Sequence, residues 1–156
     1  MLVARKYEND FDRLQRQVRK AVLPSPDLIH DVLSNACARI QVLERAGKAN
    51  NIERLIAAGA WCDAVCALIE LEIPGWSIRR LAHEDGEWLC SLTREPNLPA
   101  ALDDTADASH ESLPLAILCA FLEVQRKLAS LRDTCASPVP QIRSGARRSI
   151  CCDNFS

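Results

Sequence analysis

The chain reads as an α+β protein: an N-terminal helical pair followed by an α-β-β-α sandwich, with a β-hairpin at 76–93. Three observations predict this. Residues 76–93, WSIRRLAHEDGEWLCSLT, place apolar and β-prone residues around Asp85-Gly86, the strongest short-range hairpin signal. Long stretches on both sides repeat apolar residues at helical spacing. A lone hairpin is barely stable in water, so the apolar helix that follows has a surface to cover.

Residues 4–22 predict a charged amphipathic helix, with Tyr7, Phe11, Leu14 and Val18 on a narrow seam suited to one partner helix. Pro24-Ser25-Pro26 ends it; Ser25 is a good N-cap and Pro26 suits the first helical position. A second helix is expected over 26–46, its seam formed by Ile29, Val32 or Leu33, Ala36, Ile40 and Leu43. Gly47 is its natural stop. Two matched seams joined by a short break suggest a helical hairpin, or a contact with another subunit. A third helical region covers 51–71, and Gly59 is expected to split it. Pro74-Gly75 turns the chain into the hairpin.

Face segregation favours a three-residue hairpin loop, Glu84-Asp85-Gly86, pairing His83 with Glu87. Trp76, Ile78, Ala82, Trp88, Cys90 and Leu92 then share one face, with only Arg80 out of place. The other face carries Ser77, Arg79, His83, Glu87, Ser91 and Thr93, with Leu81 and Leu89 as an apolar pair. Residues 100–111, AALDDTADASHE, are expected as an acidic short helix or loop. Ser112 then caps a helix whose stripe is Ile117, Leu118, Phe121, Val124 or Gln125, Leu128 and Leu131. Beyond 134 the composition changes to prolines, small residues and scattered arginines. The organisation is thus a helical pair at 1–47, a core domain at 48–134 and a disordered tail at 135–156.

The totals bound the rest. A length of 156 residues suits one domain, or one plus an appendage. With 48% hydrophobic but only 4% aromatic residues, the core must be mostly aliphatic. A net charge of −2 predicts no general attraction to nucleic acid or to an anionic membrane. No run approaches membrane-spanning length. The opening residues lack an apolar signal core, so the expected compartment is the cytoplasm. Eight cysteines without a C-x-x-C pair are then expected as free thiols, with Cys62, Cys66, Cys90 and Cys119 used as small apolar residues.

The succession of a helix with Trp61, a hairpin with Trp76 and Trp88, and a helix opening LPLAILCAFL resembles small uncharacterised bacterial and phage-encoded α-β-β-α sandwich domains. Leu115, Ala116, Ile117, Ala120 and Leu122 fit the helix pattern of those domains, and the resemblance covers roughly residues 51–128. It implies a fold and no chemistry.

Three constellations could carry chemistry. Cys62 and Cys66, four apart on one helix face, could both reach a metal, but zinc needs two further ligands and the recognised spacings are missing. Asp103, Asp107 and His110, if helical, would line one face; they could hold a divalent cation, or Asp107 could orient His110 as a general base. The blander reading is an acidic, solvated approach to a helix N-terminus. Arg79, Arg80, Arg94 and the tryptophans could form a nucleic-acid face, which the net charge argues against. No phosphate loop, nucleophile elbow or metalloprotease motif is present, and no cofactor is implied. The expected function is a non-enzymatic protein-interaction module acting through helix seams or the uncovered face of the hairpin, with self-association or a partner expected through helices 4–22 and 26–46. The alternatives are a small metal-dependent enzyme or metal protein centred on 103–111, and a nucleic-acid accessory factor.

Overall fold

The computed structural model describes residues 2–47 and 49–135, with side chains placed from residue 10 to residue 134 apart from residue 48. The expected tail at 135–156, with Cys151 and Cys152, lies outside these side chains. Among the described residues, six helices and a three-stranded antiparallel sheet make an α+β fold. The order is α1 (Leu2–Lys20), α2 (Pro26–Ala36), α3 (Ala38–Arg45), α4 (Asn50–Ala57), α5 (Trp61–Glu72), β1 (Ser77–Glu84), β2 (Glu87–Thr93), β3 (Ala106–His110) and α6 (Leu113–Cys135).

α6 is the hub. Every residue from Leu115 to Leu122 is buried, so this part of the helix is apolar all round, the pattern of a helix enclosed on several sides. One side covers β2 and β3; α1 and α5 lie on others. One apolar cluster runs from Phe11 to Val124, so the N-terminal helices and the sheet region share a core. The α1 seam is used inside the chain: Leu14 and Val18 are fully buried, and Phe11 nearly so. Ile29, Val32 and Ile40 are likewise enclosed.

The Ser25 cap forms as expected: its Oγ accepts from the Leu28 amide at 3.3 Å, with Pro26 opening α2. The single helix expected over 26–46 is instead two, broken at Cys37 (φ −121°, ψ 68°). Distant groups satisfy the broken ends. Glu72 of α5 accepts from the Arg39 and Ile40 amides at 3.3 and 2.9 Å, capping an α3 N-terminus that has no local side-chain cap. Gln125 of α6 is buried and donates to the Ala36 carbonyl at 2.9 Å. These partners lie outside the segment, so its own pattern cannot show the break. Gly59 (φ 70°) does separate α4 from α5.

The hairpin forms, but its turn has two residues, not three: Glu84 pairs with Glu87 and His83 with Trp88. Asp85 and Gly86 both adopt positive φ, 52° and 85°, as a type I′ turn requires, and that turn matches the strand twist. Face segregation misled because of two features. An irregularity between Ile78 and Arg80 resets the alternation, so Ile78, Leu81, His83, Trp88, Cys90 and Leu92 share the α6 side. On that side α6 reaches β2 and β3 far more than β1, so polar residues there carry little cost.

Residues 106–110 are neither helix nor loop. They form β3, antiparallel to β2, with Trp88 opposite His110, Cys90 opposite Ala108 and Leu92 opposite Ala106. The alternation of Ala106, Ala108 and His110 puts small or enclosed side chains under α6 and leaves Asp107 and Ser109 on the outer face.

Candidate functional site

The strand at 106–110 separates the residues expected to cluster. Asp107 and His110, three apart on a strand, point to opposite faces of the sheet. His110 is buried under α6, and its Nδ1 accepts from the Ser112 amide at 2.9 Å, so that nitrogen carries no proton and the ring joins β3 to the start of α6. Asp107 stays on the outer face, accepting from the Ser91 hydroxyl and from the Thr105 hydroxyl at 2.9 Å.

Asp103 has a third place. It sits in the β2–β3 connection, its carboxylate almost fully enclosed, and accepts from Arg79 Nη1 at 2.6 Å and from the Thr93 hydroxyl. Arg79 also donates to the Leu98 carbonyl at 2.8 Å. The ion pair thus fastens the 94–105 connection over one end of the outer sheet face and explains why Ser91 and Thr93, polar residues on that face, are buried. Asp104 is exposed and meets Lys127 of α6 at 2.6 Å. Among the described residues no group of three or more His, Cys, Asp or Glu side chains is placed to hold a metal ion.

Cys62 and Cys66 do lie along one side of α5, half-buried. Partial burial pushes both thiols above their ordinary value, helped at Cys62 by Asp63 and at Cys66 by Cys62 and then Asp63 and Glu70, so they favour the protonated form rather than the thiolate a metal or electrophile requires. Cys90, deeper under α6, is pushed up to about 12 by burial first and then by nearby thiols and Asp107.

The arginines expected on a nucleic-acid face are mostly engaged: Arg79 by Asp103, and Arg80 by Glu84 at 2.7 Å. Trp61, Trp76 and Trp88 are partly buried against the core. His83 packs its ring on Trp88 with centroids 4.9 Å apart. A broad, open depression between the end of α1 and α2 is lined by Gln17, Ser25, Asp27, Leu28, His30 and Asp31. No described helix is long and apolar enough to cross a membrane.

β1 and β3 are the two edge strands of the sheet, and β1 is the one that also exposes large apolar side chains. Because Glu84 and Glu87 flank a two-residue turn, Glu84, Ala82 and Arg80 direct their backbone groups to β2, and Leu81 and His83 direct theirs outward. The same strand exposes Ile78 (39%), opposite Leu92, and Leu81 (41%), opposite Cys90 and near the half-buried Trp88. An edge with unpaired amides and exposed apolar residues is a template for another strand. Face segregation alone puts Leu81 on the face away from α6 and so hides this edge; the I′ signal of Asp85-Gly86 is the feature of the sequence that places it correctly.

Compared with protein-family models, curated proteins and solved structures, the chain matches none.

Proposed function

We propose that the protein is a non-enzymatic interaction module that docks through the outer edge of β1. The observation that carries this is the coincidence, on one edge strand, of outward-directed backbone groups at Leu81 and His83 with the exposed side chains of Ile78 and Leu81. The helix seams of 4–22 and 26–46 are the less favoured surface, because their described apolar residues are largely enclosed by the chain itself. The five described free cysteines fit a reducing, cytoplasmic setting.

The test uses Ile78→Lys with Leu81→Lys. Both positions are exposed, so the fold should persist by circular dichroism and thermal melting. Tagged wild-type and variant proteins are used to capture partners from an extract of the host. Proteins retained by the wild type should be lost from the variant; an unchanged captured set overturns the reading.

A further inference from the structure

We infer that the occupant of the β1 edge is a second copy of this chain, paired antiparallel through β1 about a two-fold axis at Ala82. The inference rests on the edge-docking reading above and adds the partner and its register. Its basis is the charge order along the strand, Arg80-Leu81-Ala82-His83-Glu84.

In a two-fold antiparallel pair, the residue on the axis faces itself and its neighbours face each other in mirrored order. With the axis at Ala82, Arg80 lies opposite Glu84 of the second copy, and Glu84 opposite its Arg80. Leu81 lies opposite His83, so that the two residues whose backbone groups point outward exchange hydrogen bonds. The axis residue is an alanine at a non-hydrogen-bonded position, where strands approach most closely and a small side chain fits. Moving the axis to Leu81 sets Arg80 against alanine and Ile78 against Glu84. Moving it to His83 sets Arg80 against Gly86 and Leu81 against Asp85. Among these three registers only the Ala82 axis opposes unlike charges, and it does so twice.

The contacts already present suit the exchange. Arg80 and Glu84 form an exposed ion pair within the chain at 2.7 Å, with side chains 60% and 58% accessible, so both can turn across the axis. On the α6 side, Leu81 would settle against the partner's His83, whose ring is already held by its own Trp88. The irregularity between Ile78 and Arg80 ends the regular run, confining the pairing to the residues from Arg80 to the turn.

The test is sedimentation equilibrium on the wild-type chain, Arg80→Glu, Glu84→Arg and a mixture of the two variants. The wild type is expected to dimerise. Each variant opposes two like-charge pairs and should weaken the dimer about tenfold. The mixture should recover a heterodimer, because every opposed pair is then unlike; the intrachain pair, lost in both variants, cannot produce that recovery. A monomeric wild type overturns the proposal, as do variants that dimerise like the wild type or a mixture that fails to associate. A monomeric wild type whose host partners are nevertheless lost on Ile78→Lys and Leu81→Lys sinks self-pairing alone; an unchanged captured set sinks the edge reading as well.

Discussion

Replacing Asp103 with asparagine keeps the side chain's shape and removes its charge, which separates a structural carboxylate from a functional one. The wild-type carboxylate is almost fully enclosed and accepts from both Arg79 and Thr93. Breaking one side of a fully buried ion pair costs about 3–5 kcal/mol. Arg79 retains the Leu98 carbonyl at 2.8 Å, and its side chain is 23% accessible, so water recovers part of that loss. The expected destabilisation is therefore about 3 kcal/mol, read as a lowered urea midpoint at unchanged slope. Joint replacement of Arg79 and Asp103 by apolar residues should cost less than the two single losses added together, because no charge is left unpaired. Acids held for catalysis or metal binding behave oppositely, and their removal is often neutral or stabilising. An Asp103→Asn variant as stable as the wild type would refute the fastening role and return Asp103 to the list of site candidates.

Three further outcomes follow from the packing. Glu72→Ala should cost about 1–2 kcal/mol in urea unfolding, since α3 loses the carboxylate at its N-terminus, and amide exchange at Arg39 and Ile40 should quicken. Phe121→Ala, at a fully buried position on the hub helix, should cost about 3–5 kcal/mol by the same measurement. Alkaline stability should reflect Cys90 and Cys119, whose thiols burial pushes up to about 12 and about 11. The folded state holds these protons more tightly than the unfolded state does. The stabilisation is thus complete below the ordinary thiol value of 9.0 and is lost as pH rises from there towards those values. Each thiol contributes a slope of about 1.4 kcal/mol per pH unit in that window, and Cys90→Ala should flatten the profile measured by urea unfolding across it.

Elements whose stability is local were legible in the sequence. The Ser25-Pro26 cap, the Gly59 break, the Asp85-Gly86 hairpin and the apolar run from Leu115 to Leu122 are each specified by residues within a few positions of one another. The features that escaped depend on partners far along the chain. The break at Cys37 is held by Glu72 and Gln125. β3 is short, rich in alanine and carries Asp107, all poor strand signals; it is a strand because β2 offers it an edge and α6 a roof. That miss undid the Asp103, Asp107 and His110 constellation, since helical spacing joined residues that a strand divides. The hairpin register failed for a related reason: hydrophobic segregation assumes both strands are covered, and β1 is not.

The exposure of β1 follows from the dimensions of the elements. A helix with its side chains is about 10 Å across, and paired strands lie about 4.8 Å apart, so a single helix roofs two strands of a sheet. α6 is that helix, and it covers β2 and β3. Its other sides are taken by α1 and α5, so the third strand extends beyond the roof. Such a strand invites indiscriminate pairing unless charge restrains it. Arg80 and Glu84 supply that restraint on the face away from α6, and their order makes it selective rather than merely repulsive. A neutral or uniformly basic strand in the same register gains nothing from Arg80 or opposes it, whereas a strand with an acid four positions after a base satisfies both charges. β1 itself has that order, which is why the edge left over by the geometry of one helix on three strands is best matched by its own copy.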